Sequence, residues 1–254
     1  MTSTTLDKIN NLTAAKELLL ADENAWGRGD LLIRRVDGSK CMCALGAIGV
    51  AAAGEDAVLE KSYALFEEDG LSREASLELA RTINEGLFDE IAIRERTEYS
   101  TVYWFNDTWK RHREEVIELF DTTIKRLEKQ LALETLIEAK RLIVEKGWTK
   151  MSLIAPNGCM CALGGIVSAT TGITTYEDLI REFGSSYGIF VRDNEYTDEA
   201  AIAAVDALRS VVATEHLDGD GDFRDIYRFN DTQPSEEPVL ALFDRAIANL
   251  TKDA

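Results

Sequence analysis

KCMCALGAIGVA, at residues 40–51, returns as GCMCALGGIVSA at residues 158–169, and this echo is the strongest indication of how the chain folds. A second echo follows in the same order, because YWFNDT at 103–108 returns as YRFNDT at 227–232. Two echoes with comparable separations indicate a tandem duplication of one unit. We therefore expect two homologous lobes, residues 1–130 and 131–254, with a pseudo-twofold relation between them.

Helical periodicity predicts a mainly α fold. Apolar residues at the start of each half recur at helical spacing and lead to Trp26 and Trp148. Each Cys-x-Cys run that follows is apolar almost all round and contains glycines, which is typical of a buried helix packed closely against its neighbours. The turn signals DG and PNG ahead of these runs favour a short extended segment before each Cys-x-Cys helix.

Further helices are expected at 72–87 and 198–213, with Ser72 and Asp198 as their N-caps, and after each FNDT motif. No Gly or Pro occurs from 114 to 146. The last helix of the first lobe therefore runs directly into the second lobe, or it breaks tightly near 131–135.

The charge balance limits the partners. The 254 residues include 28 Lys and Arg against 46 Asp and Glu, a formal net charge of −18. This charge repels phosphates and anionic lipids, so we expect neither direct nucleic-acid binding nor a membrane partner. It serves solubility, or it imitates a phosphate backbone to occupy a DNA-binding enzyme. The opening segment has no signal-peptide pattern and no apolar run reaches ~18 residues, so we expect a cytoplasmic protein.

The four cysteines form two Cys-x-Cys motifs, Cys41 with Cys43 and Cys159 with Cys161. They are small buried residues at the start of a packed helix, or they bind zinc or act in redox chemistry as thiolates. Because Cys41 and Cys159 follow turns, a helix N-terminus would lower their pKa. The structural interpretation needs no cofactor.

The repeated Asn-Asp pairs allow two interpretations. The first is capping of the helix that follows, because short polar side chains accept hydrogen bonds from free backbone N–H groups. The second is ligand binding beside the tryptophan of the same lobe. The candidate ligand-binding residues are Trp26, Asn106 and Asp107 in the first lobe and Trp148, Asn230 and Asp231 in the second.

Other signals for chemistry are weak. The run DGDGD at 218–222 imitates the start of a calcium loop, but Phe223 and Phe229 stand where Gly and Glu are required, so a solvated acidic turn is expected. The two histidines, His112 and His216, occupy unmatched positions in the halves. No acid, base and nucleophile set is repeated, so no catalytic residue is assigned.

The two halves share an order of motifs: a helix ending at Trp, a Cys-x-x-Gly-Ala helix, and Phe-Asn-Asp before a Val-x-x-Leu-Phe-Asp helix. The residues that carry it are Trp26, Cys43, Gly46, Ala47, Asn106 and Asp107, and Trp148, Cys161, Gly164, Asn230 and Asp231, with Gly165 in place of the alanine. This order resembles an uncharacterised small helical domain family of actinobacterial and phage proteins. The resemblance covers nearly all of both lobes. It implies a duplicated accessory domain associated with phage or bacterial genomes, and it transfers no catalytic residues to this sequence.

The hypothesis that follows is a non-enzymatic binding protein, with a protein or small-molecule partner and an accessory or counter-defence role in phage or bacteria. The alternative is a metal-binding or redox protein that uses the paired Cys-x-Cys motifs.

Overall fold

The computed structural model describes residues 3–87, 98–108, 111–183, 198–212 and 223–252. The chain divides into two compact units, Met1–Leu127 and Glu128–Ala254, which we call the first and second lobe. Both are built mainly from helices, which confirms the expected fold class. Within the described residues, no helix combines the length and the apolar character needed to cross a membrane.

In the first lobe the other helices pack around one apolar helix, α2. The elements of this lobe are α1 (Thr5–Leu20), the strands β1 (Leu32–Arg34) and β2 (Lys40–Met42), α2 (Ala44–Ala53), α3 (Glu55–Lys61), a 3-10 turn (Ser62–Ala64), α4 (Leu65–Glu68), α5 (Gly70–Thr82), a π-helical turn (Ile83–Leu87), α6 (Glu98–Asp107) and the first part of α7 (Arg113–Lys146). Helices α1, α3, α5 and α6 all contact α2.

The second lobe repeats this plan around α8. It comprises the rest of α7 and then α8 (Ala162–Thr171), α9 (Tyr176–Phe183), α10 (Glu199–Arg209), α11 (Arg224–Thr232) and α12 (Glu237–Lys252). Helices α10 and α11 contact α8. Because α7 continues without interruption from Arg113 to Lys146, the alternative of a tight break near 131–135 is wrong.

The extended segments differ between the lobes. In the first lobe β1 and β2 pair as an antiparallel hairpin that contains Cys41, so α2 begins three residues later than the Cys-x-Cys run predicts. In the described part of the second lobe only isolated bridges form, among them Ile154 with Met160. The turn there is closed by the N–H of Ala155 donating to the carbonyl of Cys159 at 2.8 Å.

Two glycines let the central helices approach these segments very closely. A Cβ atom on Gly46 would overlap the carbonyl oxygen of Leu31, and one on Gly164 would overlap that of Leu153. Both obstacles are backbone atoms, which cannot swing aside as the end of a side chain can. The close packing predicted from these glycines is confirmed, and it fixes the distance between each central helix and the loop that carries the tryptophan.

The N-caps of α5 and α10 position the helices that lie behind the central helix. Asp198 caps α10 as expected, since its Oδ1 accepts from the N–H of Ala201 at 2.9 Å. The prediction for α5 was wrong by one turn. Its cap is Asp69, whose Oδ2 accepts from the N–H of Ser72 at 2.6 Å.

Candidate functional site

Asn106 is the centre of a hydrogen-bond network in the first lobe. Its side chain is fully buried, and its Oδ1 accepts from Trp26 Nε1 at 2.9 Å and from the N–H of Ala44 at 3.1 Å. Its Nδ2 donates to the carbonyl of Gly27 at 3.1 Å and to Asp107 Oδ1 at 2.8 Å. A carboxamide offers two acceptor and two donor positions, and all of them are used.

Asn230 makes the same contacts in the second lobe. Its Oδ1 accepts from Trp148 Nε1 at 2.8 Å and from the N–H of Ala162 at 3.1 Å. Its Nδ2 donates to the carbonyl of Thr149 at 3.2 Å and to Asp231 Oδ1 at 3.0 Å. We call each arrangement the Trp–Asn latch, because it fastens the tryptophan loop to the start of the central helix.

The latch corrects the expected capping role of the Asn-Asp pair. Asn106 and Asn230 lie in the last turns of α6 and α11, and the helices that follow begin only at Arg113 and Glu237. Neither asparagine caps the next helix. Each instead accepts from the first free N–H of a central helix far away in sequence, which is the group that a helix leaves without an internal partner. Full burial also removes both asparagines from direct contact with a ligand.

The adjacent aspartates hold the tip of each tryptophan loop. Both carboxylate oxygens of Asp107 accept from the N–H of Gly29 at 3.1 Å, and Asp231 Oδ1 accepts from the N–H of Met151 at 3.0 Å. Gly29 and Met151 both adopt left-handed backbone, with φ of +87° and +61°. Both aspartates are half-buried, and Oδ2 of Asp231 is itself buried without a hydrogen-bond partner.

A cation of the same loop covers each indole ring. The guanidinium carbon of Arg28 lies 5.0 Å from the ring centroid of Trp26, and Lys150 Nζ lies 5.3 Å from that of Trp148. These distances suit a cation–π interaction. We define the first patch as Trp26, Arg28 and Asp107, and the second patch as Trp148, Lys150 and Asp231. The structure thus brings together the tryptophan and aspartate predicted in each lobe, and it adds a cation.

Cys43 and Cys161 are buried N-caps of the central helices. Each Sγ accepts from a backbone N–H three residues ahead, that of Gly46 or Gly164, at 3.4 Å. Burial raises the pKa of both thiols to about 12, and the hydrogen bonds from the helix N-terminus only partly oppose it. Both therefore stay protonated at neutral pH, which disfavours a nucleophilic thiolate.

Cys41 and Cys159 do not occupy the predicted helix N-termini. Cys41 is buried in β2, and Cys159 is half-buried with its Sγ donating to the carbonyl of Lys146 at 3.3 Å. All four cysteines are free thiols. Among the described residues, no three side chains of His, Cys, Asp or Glu are grouped as metal ligands.

Tyr63 belongs to the surroundings of the first patch and was missed by the sequence reasoning. Its ring meets that of Tyr103 edge to face, with centroids 6.0 Å apart, and the carboxylate of Asp107 raises the pKa of Tyr103. A repeated pattern could have revealed it, because SYALF at 62–66 returns as SYGIF at 186–190. The second tyrosine of this pattern, Tyr187, lies outside the described residues.

Of the remaining sequence features, only His112 lies within the described residues. The calcium-like run at 218–222 and His216 lie outside the described residues. His112 is exposed, and its backbone N–H donates to Glu115 Oε2 at 2.8 Å.

The chain belongs to a family of unknown function, DUF6197, whose model matches it twice, over residues 3–126 and 128–249. The double match covers nearly the whole chain and confirms an uncharacterised family in tandem duplicate. No match was found among curated proteins or among solved structures.

Proposed function

We propose that this protein is a non-enzymatic binding protein in which the first and second patches engage a partner protein or a small ligand. It acts in the cytoplasm as an accessory or counter-defence factor of phage or bacterial origin. The phage or bacterial origin in this proposal rests on the resemblance to actinobacterial and phage proteins described above.

The recurrence of one surface arrangement on two copies of the same latch carries the proposal. In each lobe a half-buried indole and a cation of the same loop come together with a half-buried aspartate from the last turn of α6 or α11. The loop is held in place by a buried asparagine that touches no solvent. Such preorganisation lowers the entropy lost on binding, because the contact groups are already ordered.

The chemistry of the surrounding groups supports binding over catalysis. The thiols of Cys43 and Cys161 resist ionisation, and burial, with the nearby negative charges, raises the pKa of Tyr63 to about 12. These groups therefore stay neutral at physiological pH and supply neither a nucleophile nor a base. The cysteine metal or redox alternative depends on the same thiols, so we do not propose it.

Photocrosslinking tests the proposal. A benzophenone amino acid placed at Arg28 or Lys150 should form a discrete adduct in lysate of the source cells, identified by mass spectrometry. Unlabelled wild-type protein should compete this adduct away. The double variant Arg28→Ala, Lys150→Ala should compete about threefold less well, since an exposed cation–π contact contributes ~0.5–1 kcal/mol.

Matched controls use cations away from the patches. Lys16 pairs with Asp121 in the first lobe, and Arg141 pairs with Glu138 and Glu145 in the second. A benzophenone at either position should give no such adduct, and Lys16→Ala with Arg141→Ala should compete like the wild type. Equal competition by the patch variant and the wild type, or adducts at all four positions alike, would contradict the proposal.

A further inference from the structure

Three aromatic side chains form a row beside the first patch. The rings of Tyr63 and Tyr103 meet edge to face with centroids 6.0 Å apart, and those of Tyr103 and Trp104 meet the same way at 6.0 Å. Both tyrosines are half-buried, and Trp104 is 46% exposed. The row therefore presents ring surface to solvent along α6.

Carboxylates make this row electronegative. Asp107 follows Tyr103 by four residues on α6, so both side chains lie on the same face of that helix. Both carboxylate oxygens of Asp107 accept from the N–H of Gly29 at 3.1 Å, which brings the next residue, Asp30, to the same end of the row. Asp107, and to a smaller extent Asp30, raises the pKa of Tyr103. The same two carboxylates add to the effect of burial at Tyr63. Asp30 is itself exposed at the end of the tryptophan loop.

Aromatic faces next to a carboxylate attract cations, because the ring quadrupole and the negative charge act in the same direction. The protein already uses this attraction internally, where Arg28 lies over Trp26 and Lys150 lies over Trp148. An anionic group would meet Asp30 and Asp107 at short range. The net charge of −18 adds a long-range attraction for positive ligands.

We infer that the cluster of Tyr63, Tyr103, Asp107 and Asp30, which we call the tyrosine cluster, binds a guanidinium or ammonium group. The inference rests on the proposed function and names the chemistry of the ligand at the first lobe. The cation comes from an Arg or Lys side chain of a partner or from a free small amine.

Nuclear magnetic resonance titration of the full chain tests the inference with defined probes. N-acetyl-arginine amide supplies the guanidinium, and N-acetyl-citrulline amide is its neutral counterpart of nearly the same shape. The arginine probe should shift the ring signals of Tyr63 and Tyr103, and the citrulline probe should not. Added NaCl should weaken the effect, because the attraction of exposed charges is screened.

Variants separate the ring from the charge. Tyr63→Leu should weaken binding of the arginine probe about threefold, whereas Tyr63→Phe should keep it, because only the first removes the π face. Asp30→Asn should also weaken binding about threefold. The matched control is Asp56→Asn, since the Asp56 side chain is 98% exposed and pairs with Arg34 at 3.3 Å, and it should bind like the wild type. Dispersed amide spectra of each variant check that the fold is intact.

The outcomes distinguish this inference from the proposed function. Equal shifts with both probes, or shifts that map outside the tyrosine cluster, would overturn the cation site and leave the crosslinking result untouched. The cation site would also be overturned if a partner that crosslinks specifically at the patches bound the wild type and Asp30→Asn equally well. A pentapeptide with a central arginine, compared with agmatine, then identifies the source of the cation: tighter binding of the peptide indicates a protein partner, and tighter binding of agmatine indicates a free amine.

Discussion

The two lobes share the Trp–Asn latch but tie their helices together with different buried charges. In the first lobe the carboxylate of Glu78, which is 5% exposed, pairs with Lys8 at 2.8 Å, Arg81 at 3.0 Å and Arg126 at 2.6 Å. In the second lobe the fully buried Asp225 pairs with Arg209 at 2.7 Å.

These ion pairs do not occupy matching positions. When Leu79 is aligned with Leu208 in the two sequences, Glu78 falls on Ala207 and Arg209 falls on Ala80. Each lobe has thus acquired its own pairing while the latch stayed the same. A buried ion pair can be replaced by other packing at little net cost, because desolvation offsets its Coulomb energy. The buried asparagine of the Trp–Asn latch has no such substitute, since four separate groups form hydrogen bonds with it.

The largest effect is expected at the glycine that brings the central helix against the tryptophan loop. Gly46→Ala should destabilise the first lobe by about 4 kcal/mol, because the added methyl group overlaps the carbonyl of Leu31. Gly164→Ala should act equally on the second lobe. Hydrogen exchange of backbone amides, read separately for each lobe, measures both changes.

Gly49→Ala is the matched control for this prediction. Its added methyl group would meet Val58 Cγ2 at 2.9 Å and Leu65 Cδ2 at 3.0 Å, and both are ends of side chains that can shift. Its cost should be only about 1 kcal/mol. A cost for Gly46→Ala no larger than this would show that the close approach is not required.

Removing a latch should cost about 3 kcal/mol in the lobe that carries it. Asn106→Ala leaves the N–H of Ala44 and Trp26 Nε1 without their acceptor, and an unsatisfied buried donor costs ~1–3 kcal/mol. Asn230→Ala should have the same effect on the second lobe. Urea unfolding monitored by amide exchange compares the two variants. If only one of them loses stability, the two latches are not equivalent.

The charge cluster should make the first lobe sensitive to acid. Burial alone raises the pKa of Glu78, but its hydrogen bonds with Lys8 and Arg126 outweigh burial, so the pKa lies below the ordinary 4.5. A lowered pKa stabilises the folded state above pH 4.5, and this contribution disappears as the pH falls through the folded value. Glu78→Gln should cost about 2 kcal/mol at pH 7 and much less at pH 3.

Lobe-resolved amide exchange at pH 7 and near pH 3 measures this difference. The second lobe serves as the internal control, because Ala207 occupies the position of Glu78 and the substitution leaves its amides unchanged. A cost for Glu78→Gln that is the same at both pH values would contradict the role of the carboxylate.

The smallest effect concerns the tips of the tryptophan loops. Met151 adopts φ of +61° where the first lobe has Gly29 at +87°. A non-glycine residue with this backbone conformation destabilises the fold by ~1–2 kcal/mol. Glycine removes this strain, but part of the gain is lost because glycine gives up more conformational freedom on folding. Met151→Gly should therefore stabilise the second lobe by about 0.5 kcal/mol, and Gly29→Ala should destabilise the first by about 1 kcal/mol. Thermal melting of each variant provides the measurement.

Local patterns were enough to predict most of the helices. The apolar spacing and the missing breakers in α7 follow from the backbone geometry of a helix, and the N-cap at Asp198 follows from a short-range hydrogen bond. The N-cap of α5 was predicted at Ser72 instead of Asp69, because Ser72 also favours caps and stands one turn further along.

The sequence by itself determined the duplication, the helical class and the identity of the residues that both lobes retain. Only the tertiary structure decided what those residues do. The contact between Asn106 and Ala44 joins positions 62 residues apart, and no local pattern reveals which distant N–H a carboxamide will meet. Burial likewise decided that the thiols of Cys43 and Cys161 lie inside the lobes as caps of the central helices, and that the tryptophan and the cation of each loop stay partly exposed, because exposure depends on how the whole lobe packs.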